Sequence, residues 1–243
     1  MAIVLYTDFG ASDIYLGQVK AVLHRLAPGV PVIDLANDLA PFNVRAAAHL
    51  LDALKDAFGE ASVFVCVVDP GVGTGRGAVV VAAQGRRYVG PDNGLMSVVA
   101  SRSAGSSVSA ILWRPERLSD SFHGRDLFAP IAALLARGTL APERLRPMAG
   151  LEVDFGSAEL EEIIYIDHYG NACTGIRAAA ARAEAPLVAG GHRIARARVF
   201  GEAPEGTALW HANSHGLVEI AVNRGSAAQT LGLRVGQAVG WAG

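Results

Sequence analysis

Three short apolar runs dominate the start of the chain: Ile3-Val4-Leu5-Tyr6, Val32-Ile33-Asp34-Leu35 and Val63-Phe64-Val65-Cys66-Val67-Val68. The first and third lack any inside–outside alternation, which suits strands covered on both faces. Between the runs, Ile14, Val19, Val22, Leu23 and Leu26 recur at helical spacing until Pro28-Gly29 stops them. Ala47, Leu50, Leu51, Leu54 and Phe58 do the same, and Gly59 closes that segment. Strand, helix, strand, helix, strand predicts a parallel sheet with covering helices. Residues 78–83 and 86–89 read as a hairpin around Gln84-Gly85, 110–113 as a further strand and 126–137 as a further helix.

The pattern changes after about Gly138. Pro142, Pro147 and Gly150 interrupt the chain, and short apolar stretches follow at 163–167, 194–199, 208–211 and 217–222. Gly190-Gly191, Gly201, Gly206, Gly216 and Gly225 space them, as in a small all-β unit. The expected fold class is therefore α/β. An N-terminal domain over 1–150 carries a mainly parallel sheet flanked by helices, and a smaller all-β, barrel-like domain spans 151–243.

Composition narrows the class of function. With 243 residues, 51% apolar and 18% charged, the chain can bury a large core and is not a disordered one. A net charge of −2 gives no basic stripe for a nucleic-acid partner. Cys66 and Cys173 are too few and too far apart for a metal cluster or a disulfide framework, so no metal is expected. No apolar stretch reaches the length of a membrane span, and the first residues lack a basic flank, so a cytoplasmic protein is expected.

Ligands of an open α/β sheet sit beyond the carboxyl ends of its strands. Polar groups recur there: Thr7-Asp8-Phe9-Gly10 with Asp13, Asp69-Pro70-Gly71-Val72-Gly73-Thr74-Gly75-Arg76, Pro91-Asp92-Asn93-Gly94, and Ser121-Phe122-His123-Gly124-Arg125-Asp126. Each has a plainer reading. Asp13 suits a helix cap, Asp92-Asn93-Gly94 a turn, Arg125 and Asp126 a solvated pair, and His123 a loop histidine on a carbonyl. Their recurrence within one domain favours a site. Gly73-Thr74-Gly75-Arg76-Gly77-Ala78 fits a loose dinucleotide pattern, but it runs into a strand, so no helix N-terminus meets a pyrophosphate. Its glycines instead let the chain turn sharply and bring Asp69 and Arg76 to one cavity. His211 and His215 are four apart in a strand and turn, where that spacing does not share a face.

Taken in order, these motifs resemble the S-adenosyl-L-methionine (SAM) hydroxide adenosyltransferases, or SAM hydrolases, which are related to the fluorinases and chlorinases. Asp167-His168-Tyr169-Gly170-Asn171 and Asn213-Ser214-His215-Gly216 extend the resemblance over nearly the whole chain. It implies hydrolysis of SAM to adenosine and L-methionine by attack of activated water on the ribose C5′, with SAM as substrate and no cofactor. Asp8 would hold the ribose hydroxyls, Asp13 and Asp167 the methionine ammonium with Ser214 nearby, and Asn171 the adenine. Phe42 and Phe200 would pack on the nucleoside, although ordinary core packing explains phenylalanines equally well. Asp69, Arg76 and His123 would activate water, with His123 able to accept a proton. His215 stands where halogenating relatives carry the arginine that takes the methionine carboxylate. The resemblance also implies a homotrimer with sites between subunits. Three alternatives stand beside it: a halide-dependent 5′-halo-adenosine synthase, a SAM- or adenosine-binding sensor without turnover, and a metal-dependent phosphoesterase built on Asp8, Asp69 and Asp92.

Overall fold

The computed structural model describes residues 1–242. They form two compact units, one of residues 1–51 and 55–157, the other of 52–54 and 158 onward. The chain runs through β1 (Ile3–Thr7), α1 (Ile14–Leu26), β2 (Val32–Ala36), α2 (Val44–Leu54), β3 (Val63–Val67), β4 (Ala78–Ala83), β5 (Arg86–Pro91), α3 (Ser97–Ser101), β6 (Ser107–Ile111), α4 (Ala129–Ala136) and β7 (Leu145–Met148).

These seven strands make one sheet in the order β2-β1-β3-β5-β4-β6-β7. β2, β1, β3 and β5 run parallel. The two-residue turn at Gln84-Gly85, with φ of +49° and +75°, folds β4 back on β5, and the rest of the sheet continues antiparallel. Every residue of β1 and β3 is buried, as their unbroken apolar runs require. Leu16, Val19 and Leu23 of α1 and Ile131, Ala132 and Ala133 of α4 join the core with β1 and β3.

α1 starts at Asp13, whose carboxylate accepts from the Ile14 amide, and α2 at Asn43, whose side chain accepts from the Ala46 amide. The helix expected over 126–137 is a π-helical turn over Gly124–Phe128 followed by α4. The Ala129 amide donates to the Gly124 carbonyl, one residue further back than in an α-helix. Pro130 has no N–H to close an ordinary turn at that point. The strand expected at 110–113 lies at Ser107–Ile111, and β7 adds a strand in a stretch read only as interrupted.

The second unit contains β8 (Leu160–Ile166), β9 (Ala172–Arg177), β10 (Leu187–Ala189), β11 (His192–Ile194), β12 (Ala208–Ala212), β13 (Leu217–Val222), α5 (Ala227–Leu231) and β14 (Val239–Trp241). Two antiparallel sheets, β12-β13-β9-β8 and β11-β10-β14, carry it. Glu162 and Ala238 bridge β8 toward β14, and Arg196 and Trp210 bridge the end of β11 to β12. The strands thus close into a ring around Ile163, Ile176, Trp210, Val218 and Ile220, which is the barrel-like arrangement expected. Among the described residues, no helix is long and apolar enough to cross a membrane.

Candidate active site

Asp8 and Asp69 follow two parallel, adjacent strands. Thr7 of β1 lies beside Val67 of β3, and the Asp8 amide donates to the Val67 carbonyl at 3.2 Å. Both carboxylates therefore leave the same end of the sheet. Asp8 accepts from the Phe42 amide at 3.2 Å. Burial raises the Asp8 carboxyl above its ordinary range, and the Asp69 charge adds to this, against the Phe42 hydrogen bond. Phe42 itself holds a left-handed backbone, φ +65°, and its ring is exposed.

The loop after β3 doubles back, and Arg76 grips Asp69 at its start. Arg76 Nε lies 3.0 and 3.1 Å from the two Asp69 carboxylate oxygens, and Nη2 donates to Oδ2. The same Nη2 stands 2.9 Å from His123 Nδ1. Arg76 and Asp69 side chains are only 11% and 5% exposed, so the pair is shielded from bulk solvent. Gly73 permits the approach. Its φ is +76°, and a Cβ there would sit 2.3 Å from the Asp120 carbonyl oxygen, on the segment that carries His123.

A guanidinium only donates, so His123 Nδ1 accepts and Nε2 carries the ring proton. Burial, and then the charge of Arg76, lower the His123 pKa below its ordinary value of 6.5, so the neutral ring dominates near neutral pH. His123 is held from behind. Gly124 fits against Phe9, leaving a Cβ only 2.7 Å from that ring. Arg125 pairs with Asp126 at 2.6 and 2.9 Å and reaches Gln18 of α1 at 2.9 Å, while Asp126 accepts from the Ser119 amide. This is more than a solvated pair: it ties the His123 loop to α1.

Asp8, Asp69, His123, Phe42 and Phe122 line a cavity of about 100 Å³. Phe9, Tyr15 and Phe122 form an aromatic cluster beside it, with Phe122 edge-on to the other two, which sequence reasoning did not pick out. Asp13 caps α1 and is exposed. Asp92 is buried and accepts from the Glu152 amide at 3.1 and 3.2 Å, and Asn93 donates to the Val68 carbonyl. That motif holds backbone, as a turn does, and leaves the phosphoesterase reading without its third carboxylate. Among the described residues, no three or more His, Cys, Asp or Glu side chains gather where a metal could sit.

The remaining predicted residues belong to the second unit. Asp167 accepts from the Tyr169 and Asn171 amides and from the Asn171 side chain at 2.8 to 2.9 Å, closing a tight turn. Asn171 and Phe200, with Tyr169, Asn223 and Arg224, line a cavity of about 510 Å³. Ser214 and His215 are exposed in the turn between β12 and β13, where Asn213 accepts from the His215 and Leu217 amides at 3.0 Å.

A family model described as the SAM hydroxide adenosyltransferase N-terminal domain matches residues 3–146, and one for the C-terminal domain of the same family matches 161–240. The chain belongs to the SAM hydroxide adenosyltransferase family. It is similar to an (R)-S-adenosyl-L-methionine hydrolase from Thermus thermophilus, 42% identical with 96% of each chain covered. The fold is similar to the crystal structure of an uncharacterized conserved protein from Thermotoga maritima, with TM-score 0.87, 33% identity and 98% of each chain covered. A fluorinase from Actinoplanes is more distant, 26% identical over 56% of this chain. The adenosyltransferase fold expected from the motifs is thus the one observed, an α/β unit followed by a unit of antiparallel sheets with one short helix.

Proposed function

We propose that this protein hydrolyses SAM to adenosine and L-methionine. The observation that carries the reading is the continuous Asp69–Arg76–His123 hydrogen-bond chain, whose two ends, Asp69 and His123, line the Asp8 cavity with Arg76 joining them. The similarity to a named SAM hydrolase supports it. The oxygen of water attacks the ribose C5′ as the C5′–S bond breaks. The bonding pair leaves on sulfur, which becomes the neutral thioether of methionine. Water held in line and partly stripped of solvent becomes a competent nucleophile as its proton is drawn off, and the site must stabilise the hydroxide character that proton loss gives the oxygen.

The lone pair of His123 Nδ1 faces Arg76. His123 therefore serves as an N–H donor to the attacking oxygen through Nε2; the sequence leaves open which triad member takes the proton. Arg76 supplies positive charge: a unit pair at 4 Å contributes about 4 kcal/mol at an effective dielectric of 20. Asp69 fixes Arg76 and takes the water proton. Asp8 holds the ribose hydroxyls through the carboxylate oxygen that Phe42 leaves free. Asp13, Asp167, Ser214 and His215 hold the methionine end, and Asn171, Phe42 and Phe200 the adenosine end. No metal or cofactor takes part, and the protein works in the cytoplasm as a homotrimer with sites between subunits. Sedimentation should give three copies, and a fully active monomer would refute the trimer.

Incubation with SAM in ¹⁸O-water tests the reaction. Label should enter the 5′ oxygen of adenosine, and chelators should leave the rate unchanged. Unlabelled adenosine, or loss of turnover with chelator, would overturn direct displacement by water.

A further inference from the structure

One row of side chains crosses the second unit. Cys173 on β9, Glu219 on β13 and His211 on β12 are direct cross-strand partners, so all three project to one face. All three are buried. Glu219 lies in the run Leu217-Val218-Glu219-Ile220-Ala221-Val222, every residue of which is buried. A carboxylate there must be matched by donors. It finds three. His211 Nε2 donates to Oε1 at 3.1 Å, while the Cys173 thiol and the Asn213 amide both donate to Oε2 at 2.9 Å. Burial raises the Glu219 pKa, but these three donors outweigh it and hold the group at about 2, fully ionised at neutral pH.

Each donor leads to a different part of the substrate face proposed above. His211 packs edge-on against Phe200, ring centres 4.9 Å apart. Asn213 holds the turn bearing Ser214 and His215 through its side-chain oxygen. Cys173 lies two residues beyond Asn171, which is bound to Asp167. We propose that Glu219 is the positioning residue of the second unit's substrate face: one buried carboxylate sets the placement of Phe200, the Ser214–His215 turn and the Asp167–Asn171 turn together. The inference rests on SAM as the substrate. Glu219 touches none of the reacting atoms in this assignment, so its effect falls on ground-state binding.

Glu219→Gln keeps the shape but turns one acceptor oxygen into an N–H₂, which faces donors. KM for SAM should rise roughly tenfold with kcat within about threefold of wild type, the signature of lost uniform binding. His211→Phe keeps a ring against Phe200 but removes the donor, and should raise KM roughly threefold, again with kcat retained. Cys173→Ser keeps a donor and should leave KM within about twofold. Wild-type turnover of SAM, measured alongside, isolates the two readings: no adenosine from wild type refutes the substrate, not the positioning role. With wild type active, an unchanged KM in folded Glu219→Gln and His211→Phe overturns the proposal. So does a fall confined to kcat. Failure of both variants to fold overturns it too, since the cluster is then a structural support alone.

Discussion

Arg76→Lys separates charge from geometry at the triad. Lysine keeps the positive charge beside Asp69, but it is a point charge without the planar fork. Arg76 reaches both Asp69 oxygens through Nε while Nη2 also meets His123 Nδ1 at 2.9 Å. A single ammonium can hold Asp69 or His123, not both in that geometry. Asp69 carries the opposite charge, so the His123 contact is the one lost. A hydrogen bond from a charged donor contributes about 1.5–3 kcal/mol. At 1.36 kcal/mol per factor of ten, kcat should fall roughly 10- to 150-fold. SAM affinity should hold, because the triad faces the nucleophile and not the bulk of the ligand. Thermal stability should change little, since the ion pair survives. Arg76→Ala differs: it strands an Asp69 side chain only 5% exposed, and removing one partner of a buried pair costs about 3–5 kcal/mol. The assay is adenosine release under saturating SAM, set beside calorimetric SAM binding and a melting curve. Wild-type kcat in folded Arg76→Lys, or a loss appearing only in KM, would refute the role given to the fork.

Two further outcomes are expected. Because burial and Arg76 lower the His123 pKa below 6.5, the neutral ring is favoured in the fold, and its contribution is present above 6.5 and lost as pH falls through the lowered value. The kcat profile should therefore show an acid limb below 6.5 that His123→Gln, whose amide both accepts and donates, abolishes while retaining part of the rate; a limb unchanged in that variant would assign it elsewhere. Asp8→Ala should weaken SAM binding by about 1–3 kcal/mol through unpaired ribose hydroxyls, with kcat nearly intact, as calorimetry beside turnover would show; an equal loss of kcat would place Asp8 in the chemistry.

The centre of the first sheet was readable because β1 and β3 are buried along their whole length and so carry no polar alternation. Asp8 and Asp69 were readable for the same reason: a carboxylate that ends such a run marks where the chain leaves the core. The Arg76–His123 contact was not. Its partners are 47 residues apart, and what joins them is Gly73 fitting under the Asp120 carbonyl, which no local pattern reports. Only the family resemblance connected them. The π-helical turn was hidden because hydrophobic period does not separate it from an α-helix, although Pro130 marks the place. β9, β10 and β14 escaped because two are three residues long and β9 mixes Cys173, Thr174 and Gly175 with apolar residues. Glu219 did leave a signal. A lone carboxylate between Val218 and Ile220, in a strand with no alternation, announces buried donors, two of which, His211 and Asn213, lie eight and six residues earlier.

The charge arithmetic of the triad explains why an arginine near a sulfonium needs Asp69. Two like unit charges 4 Å apart repel by about 4 kcal/mol at an effective dielectric of 20, so an unpaired Arg76 would oppose binding of the cationic substrate. Paired with Asp69, and with His123 neutral, the triad carries no net charge. It is nevertheless strongly dipolar. The His123 Nε2–H remains available to an oxygen that gains hydroxide character as its proton leaves, while in the bound state Asp69 cancels the field of Arg76 felt by the sulfonium. Stabilisation of this kind grows as charge develops on the attacking oxygen and is small for neutral water, which is the condition for an interaction to raise kcat and not merely binding. The same reasoning makes protonation of His123 doubly harmful. It adds a positive charge beside the sulfonium, and it sets an Nδ1–H against Arg76 Nη2, breaking the chain at the 2.9 Å contact that holds it together.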